Sequence, residues 1–177
     1  MKNTIQITYA KTAFGELILG SFNNELCLCD WRYRKMRDSI DKRIKTYLNA
    51  DFVEENSEIN VQTQLQLNQY FNCERTEFDI PLLFAGSDFQ KAVWHALLKI
   101  PYGKTETYLG LSKRIENAKA VRAVASANGA NAISIIVPCH RIIGSNGELV
   151  GYAGGLPAKK KLLQLEKAID GSQLSLF

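Results

Sequence analysis

The chain has 177 residues, of which 46% are hydrophobic, 10% aromatic and 23% charged, a composition typical of globular proteins. It has neither an apolar run near the roughly 20 residues of a membrane span nor the apolar core of a signal peptide, so we expect a cytoplasmic protein. Residues 1–86 hold 10 basic and 12 acidic side chains, whereas residues 87–177 hold 12 and 6. The second half is therefore either a solvated basic surface or the part that contacts a polyanion.

Residues 1–85 are predicted to form an N-terminal domain built on an antiparallel sheet. Three β-rich segments separated by short turns indicate a meander. They are TIQITYA, ELILGSF and ELCLCDW. Helix-like spacing follows at residues 34–49 and 58–72, and FDIPLLF is predicted to add one more strand.

Residues 86–170 are predicted to form a mostly helical C-terminal domain. A capping-box pattern at Ser87 begins an amphipathic helix. Thr107 can cap a short helix, and a second short helix closes at Gly129, so the pair is predicted to form a helix-turn-helix.

The remaining elements follow this pair. The apolar run AISIIVP is predicted to be a buried strand or near-strand. Pro157 suits the first turn of a final helix, which Asp170 and Gly171 are predicted to stop.

One of the four cysteines differs from the others in its neighbours. Cys139 follows Pro138 and precedes His140 and an arginine, an electropositive setting that favours the thiolate. In extended backbone consecutive side chains point to opposite faces, so cooperation with His140 needs a turn or a bridging water. Cys27 and Cys29 share one face of the third strand, where packing explains them better than a metal site. A disulfide framework is not expected.

Two charged residues in the second half have two interpretations each. Glu166 lies on or beside the apolar stripe of the final helix, where it either orients His140 or pairs at the rim with Lys161 or Lys167. Arg122 is the only long side chain of an Ala-rich helix. Such a helix either packs tightly in a core or enters a groove of nucleic acid with the arginine reaching in.

Together these motifs resemble the O6-alkylguanine-DNA alkyltransferases, a family that repairs DNA by moving an alkyl group to its own cysteine. The resemblance spans about Gly86 to Ala168, and PCHRI with the downstream GYAGGL and LLQLE is its most specific part. It implies an α+β fold in two parts. An N-terminal ribonuclease-H-like antiparallel sheet with helices precedes a mostly helical, winged helix-turn-helix-like domain for DNA binding and catalysis.

The resemblance implies a role for each catalytic residue. Cys139 is the alkyl acceptor, and His140 is the base that acts on it through a water. Glu166 orients His140. Tyr108 donates its hydroxyl proton to the leaving guanine, and Arg122 fills the gap left in the base stack.

The resemblance also implies substrate- and DNA-binding residues. Asn131 ties the DNA-reading helix to the active-site turn, and Lys159 lies near the pocket, with Thr107 and Ala153 in the same group. The chain departs from many relatives at Ala153, where they have serine, and in the loop 128–131, where they have a basic residue.

The implied reaction is irreversible, stoichiometric transfer of the alkyl group from O6-alkylguanine, and from O4-alkylthymine, to Cys139. A base inside a duplex cannot present its substituent to a sulfur, so it is flipped out first. The product is a thioether that nothing in the chain reverses, which implies one turnover per monomer and no metal or organic cofactor.

Two other functions remain open. Alkyltransferase-like proteins bind lesions without removing them, but they lack the acceptor cysteine that this chain has at position 139. A thiol hydrolase built on Cys139, His140 and Glu166 would turn over many times, and it leaves Arg122 without a purpose.

The last residues, 171–177, are predicted to form a separate tail. Its end, Gln173–Phe177, reads QLSLF and resembles the short peptide by which bacterial replication and repair proteins bind the DNA sliding clamp. The alternative is that its apolar residues fold back on the core.

Overall fold

In the computed structural model, which describes residues 2–170, the chain folds as two compact units, the first ending at Gly86 and the second beginning at Ser87. The first unit contains a four-stranded sheet with the order β3-β2-β1-β4 and two helices. These elements are β1 (Asn3–Thr12), β2 (Gly15–Phe22), β3 (Glu25–Trp31), α1 (Arg37–Leu48), β4 (Ala50–Glu54) and α2 (Glu58–Phe71).

The first three strands form the predicted antiparallel meander. Between β2 and β3, Asn23 and Asn24 have φ angles of 49° and 62°, the left-handed pair that a two-residue type I′ hairpin turn requires. Helix α2 packs against all three strands and buries Leu67 and Tyr70. The core of this unit therefore lies between the sheet and α2.

Two predictions for this unit differ from the structure. The sheet is mixed, because β4 pairs with β1 in parallel after the α1 crossover. This five-residue strand buries only Ala50, so its sequence does not alternate between apolar and polar residues as a half-buried strand would. The predicted strand FDIPLLF is wrong: Leu82 makes only an isolated bridge to Leu26, because the adjacent Pro81 has no N–H for a ladder.

The second unit is mostly helical. Helix α3 begins with the predicted capping box, in which Ser87 and Gln90 each accept a hydrogen bond from the other's backbone N–H. The described elements are α3 (Asp88–Leu97), β5 (Glu106–Thr107), α4 (Tyr108–Arg114), α5 (Val121–Gly129), β6 (Ile142–Ile143) and α6 (Leu156–Leu165). Helices α3, α4 and α5 pack against one another, and β5 pairs with β6 in parallel.

The apolar run AISIIVP is a buried turn rather than the predicted strand. Ile136 N–H donates to the Ser134 carbonyl at 2.9 Å, and Ile135 has a φ of 73°, a left-handed angle that β-branched residues rarely adopt. Helix α6 ends at Leu165, earlier than predicted, and Lys167 has a φ of 55°. Nowhere in residues 2–170 is there a helix long and apolar enough to cross a membrane.

Candidate active site

Cys139 begins a single 3₁₀ turn, Cys139–Arg141, directly after Pro138. The turn is one of the two arrangements that allow Cys139 and His140 to cooperate, because it removes the strand alternation that would separate their side chains. Both residues are enclosed, with Cys139 4% exposed and His140 fully buried.

Glu166 joins two neighbours of this cysteine in a buried network. His140 Nε2 lies 2.8 Å from Glu166 Oε1. Arg141 forms a two-pronged contact with the same carboxylate, with Nε 2.9 Å from Oε2 and Nη2 2.9 Å from Oε1. Glu166 therefore takes the orienting position and does not form the rim pair with Lys161 or Lys167.

The charges in this network prepare His140 to accept a proton. Burial acts to raise the pKa of Glu166, but hydrogen bonds from His140 and Arg141 oppose it. Together with the positive charge of Arg141, and of His140 when the ring is protonated in acid, they lower the pKa to about 2. Burial lowers the pKa of His140, with Glu166 opposing the shift, so the ring is neutral near pH 7. With Nε2–H donating to Glu166, Nδ1 is the free basic atom. It is buried and has no hydrogen-bond partner within residues 2–170.

The turn after α3 closes over Glu166. Arg141 Nη1 donates to the Ile100 carbonyl at 2.6 Å, and the Tyr102 hydroxyl donates to the Leu165 carbonyl at 3.3 Å. Gly103 has a φ of 75°, and a Cβ there would lie 3.0 Å from the Glu166 carbonyl oxygen. The close approach of this turn therefore requires glycine.

Tyr108 and Thr107 lie where β5 meets α4. Thr107 is the N-cap, and its hydroxyl accepts from Gly110 N–H at 3.0 Å. The Tyr108 hydroxyl donates to the Val150 carbonyl at 3.4 Å. Burial and the negative charge of a Cys139 thiolate raise the pKa of Tyr108, so the phenol holds its proton at neutral pH.

Lys159 is fully buried on α6, and its Nζ donates to backbone carbonyls. The acceptors are Ile142, Val150 at 2.9 Å and Gly151 at 3.3 Å. Burial lowers the pKa of Lys159 to about 8, and a Cys139 thiolate opposes the shift. Its ammonium therefore joins the backbone of β6 to the middle of the loop that follows β6.

Comparison with known proteins identifies the family. Residues 88–168 match the family model described as the DNA-binding domain of 6-O-methylguanine DNA methyltransferase. The methylated-DNA–protein-cysteine methyltransferase of Mycobacterium tuberculosis is 54% identical over 112 residues, 63% of this chain and 68% of that protein. The corresponding Methanosarcina barkeri protein is 48% identical over 133 residues, 75% of this chain and 84% of its own.

The chain belongs to the methylated-DNA–protein-cysteine methyltransferase family. A crystal structure of M. tuberculosis O6-methylguanine methyltransferase superimposes with a TM-score of 0.76 at 38% identity, covering 96% of each chain. A structure of the M. tuberculosis protein in complex with DNA gives 0.75 at 38% identity and covers 93% of each. The predicted family and the two-part α+β fold are confirmed.

The DNA-facing candidates of this family member lie on and after α5. Asn131 is buried, donates from Nδ2 to the Val137 carbonyl at 2.9 Å and accepts from Ile133 N–H at 2.9 Å. It thereby ties the end of α5 to the turn before Cys139. Arg122 is exposed on α5, whose inner face packs on α3. Ala153 is half-buried in the turn before α6.

Two features around the candidate site of this family member are not evident from the sequence. Arg141 was only an electropositive neighbour of the cysteine, yet it makes the two-pronged contact with Glu166. The sequence Pro101-Tyr102-Gly103 indicates only the end of a helix, yet the turn that it forms closes over Glu166. The signal for Arg141 was its place two residues after Cys139. Pairing across 25 residues, however, depends on tertiary structure.

Proposed function

We propose that this chain repairs DNA by transferring the alkyl group of O6-alkylguanine to the sulfur of its own Cys139. Membership of the family supports methylated-DNA–protein-cysteine methyltransferase activity. One observation carries the choice of acceptor: Cys139 precedes a buried histidine that Glu166 orients and whose Nδ1 has no hydrogen-bond partner in the described chain.

The residues supply each part of the reaction. A water between Cys139 and His140 Nδ1 carries the thiol proton to the ring. The sulfur attacks the alkyl carbon, the carbon–oxygen bond breaks and its electron pair stays on the guanine. Tyr108 donates a proton to the guanine as that charge develops, which lowers the barrier. The Tyr108 phenolate then takes a proton from solvent, and the His140 imidazolium releases one. Glu166 stabilises the imidazolium that forms, as Arg141 holds the carboxylate in place.

We propose that the transfer is stoichiometric. A thioether has no good leaving group, so the carbon–sulfur bond formed in the reaction is not cleaved again. Each chain therefore reacts once. We further propose that the reaction needs no metal or organic cofactor and that O4-alkylthymine is a second substrate. We also propose that the chain acts as a monomer in the cytoplasm, where its four free cysteines stay reduced.

We propose that residues 86–170 form the alkyltransferase domain and residues 1–85 the ribonuclease-H-like domain. Helix α5 enters the groove of DNA, and the exposed Arg122 fills the space of the flipped base. Asn131 holds α5 to the active-site turn. Without a basic residue in the loop 128–131, this contact relies on fewer phosphate interactions than in many relatives.

The tail carries a separate proposal. Residues Gln173–Phe177 lie outside the described residues, and we propose that QLSLF binds the bacterial DNA sliding clamp. Such an anchor raises the concentration of a single-use protein at newly replicated DNA. A peptide of residues 170–177 is expected to bind a purified clamp with a Kd of about micromolar order. Replacing Leu176 and Phe177 with alanine should remove binding, and no binding by the native peptide would refute the proposal.

The proposed acceptor is tested by peptide mapping. The protein is incubated with an O6-methylguanine duplex, digested and examined by mass spectrometry. We expect one methyl group on the peptide that contains Cys139 and none on peptides that contain Cys27, Cys29 or Cys73. A methyl group on another residue, or an unmodified Cys139 after the lesion has gone, would refute the proposal.

A further inference from the structure

Lys159, on the first turn of α6, is a fully buried cation of the second unit. Its Nζ is within hydrogen-bond distance of three backbone carbonyls, those of Ile142, Val150 and Gly151. A charged ammonium has three N–H donors, whereas a neutral amine has two. The three acceptors therefore match the charged form.

Burying a charged ammonium costs free energy, and only complete hydrogen bonding offsets that cost. An apolar side chain of similar length would fill the same space without that cost. The reason for a lysine must then lie in what its three acceptors do.

The three carbonyls come from β6 and from the middle of the loop that follows it. Ile142 is the third residue after Cys139, and it belongs to β6, which pairs with β5 immediately before Tyr108. Residues 144–155, which follow β6, form no helix or strand. The ammonium holds Val150 and Gly151 in the middle of this loop, and Gly151 has a φ of 51°.

One of these acceptors is shared with the proposed proton donor. The Val150 carbonyl accepts from both Lys159 Nζ, at 2.9 Å, and the Tyr108 hydroxyl, at 3.4 Å. Lys159 thus connects the strand that follows the proposed alkyl acceptor to the carbonyl that holds the proposed proton donor. The substrate base must fit between Cys139 and Tyr108, so their separation matters to the rate.

We propose that Lys159 is a positioning residue that fixes the Tyr108 hydroxyl relative to the Cys139 sulfur through the Val150 carbonyl. The inference rests on the proposed function and adds the part that Lys159 plays in it. It differs from a substrate- or DNA-binding role, in which the ammonium itself contacts the ligand. Its effect on transfer should therefore depend on the presence of the Tyr108 hydroxyl.

A double-mutant cycle tests this dependence. The variants are Lys159→Met, Tyr108→Phe and the two together, with Lys161→Met, an exposed lysine on the same helix, as the control. The measurement is the single-turnover rate of methyl transfer at saturating duplex, with the half-saturating concentration determined separately. Thermal unfolding of each variant sets a temperature at which all are folded.

We expect Lys159→Met to slow transfer about tenfold when Tyr108 is present and less than about twofold in the Tyr108→Phe background. Such non-additivity is expected of residues that act through one another. The half-saturating DNA concentration should change little. Lys161→Met should match the parent chain. Lys159→Arg, which keeps the charge but aims its donors in a plane, should restore only part of the rate.

Equal slowing by Lys159→Met in both backgrounds would overturn the inference, and so would an effect confined to the half-saturating concentration. If Lys159→Met does not fold, Lys159→Arg replaces it in the same cycle with the same criterion. The parent chain distinguishes failure of the proposed function from failure of the positioning role. If it transfers no methyl group, the proposed function fails; if it transfers the group but the cycle is additive, only the positioning role fails.

Discussion

Each unit of the molecule contains a buried carboxylate paired with arginine near a cysteine. In the first unit Asp30 is fully buried and accepts from Arg34 at 2.9 Å and Arg37 at 3.0 Å. Cys29 precedes it in β3. In the second unit Glu166 is 2% exposed and accepts from Arg141 and His140. The composition of the two networks is therefore similar.

The networks differ in the partners of the carboxylate. Asp30 meets guanidinium groups and the Trp31 N–H, none of which can accept a proton at neutral pH. Burial and the Asp30 charge raise the pKa of the Cys29 thiol, which keeps it unreactive. Glu166 instead orients a neutral histidine with a free basic nitrogen. We therefore expect reactivity at Cys139 and not at Cys29, because, of these two networks, only that of Glu166 includes a histidine base.

The largest expected effect is a difference in methyl transfer between variants at the two cysteines. Cys139→Ala should abolish methyl transfer from an O6-methylguanine duplex, because the acceptor atom is gone, while DNA affinity stays close to the parent value. Cys29→Ala should leave transfer intact once stability is matched. Intact mass and an oligonucleotide binding assay measure the two properties. Residual transfer by the Cys139 variant would remove it as the acceptor.

The next largest effects are expected from variants of the two buried carboxylates. Glu166→Gln and Asp30→Asn should each lower the free energy of unfolding by about 3 kcal/mol, because each leaves buried cations without their counter-charge. Only Glu166→Gln should also slow transfer at a temperature where both are folded, by about a hundredfold, the usual scale of general-base catalysis. Denaturant unfolding and single-turnover rates separate these effects. Equal rates for both variants would mean that Glu166 is structural.

The Glu166 network also predicts acid sensitivity. The folded pKa of about 2 lies below the ordinary value of 4.5, so between these pH values the unfolded chain binds a proton at Glu166 that the folded chain does not. This contribution to stability is complete above pH 4.5 and is lost as pH falls towards 2, up to about 3 kcal/mol.

Urea unfolding from pH 6 to pH 2 measures that loss. Glu166→Gln should flatten the pH dependence, whereas Glu74→Gln, at an exposed position, should leave it unchanged. An unaltered slope in the Glu166 variant would show that other groups cause the acid sensitivity.

The smallest effect concerns Arg122, which is exposed and belongs to neither network. Arg122→Ala should slow repair of duplex by about tenfold, because only a duplex must be unstacked, and should leave reaction with free O6-benzylguanine almost unchanged. Lys99→Ala, at an exposed position after α3, is the control. Equal slowing with both substrates would assign Arg122 a structural role.

Local signals in the sequence predicted much of the fold. The Ser87 capping box, the Thr107 cap and the three-strand meander are confirmed, because each depends on neighbours in the chain. Strand β4 and the end of α6 depend on partners far away in sequence and were missed. The buried turn at Ile135 was predicted as a strand, because a β-branched apolar run indicates burial without indicating backbone shape.

The residues of the candidate site also differ in whether local sequence predicts them or their partners depend on tertiary structure. Cys139 and His140 are adjacent in sequence, so the motif predicted them as a pair. The helical stripe placed Glu166 near the core but left two partners open, and the structure selects His140. The pairing of Arg141 with Glu166 spans 25 residues, and the carbonyl contacts of Lys159 span 8 to 17 residues. Both depend on tertiary structure, which no local pattern contains.

We propose that Cys139, with His140 beside it, carries out a single transfer rather than repeated hydrolysis. The most direct test titrates a fixed amount of protein with excess O6-methylguanine duplex and counts repaired lesions over time. We predict that repair stops when one lesion has been repaired per chain, with every chain heavier by one methyl group. Continued repair beyond that ratio, with protein of unchanged mass, would contradict the account.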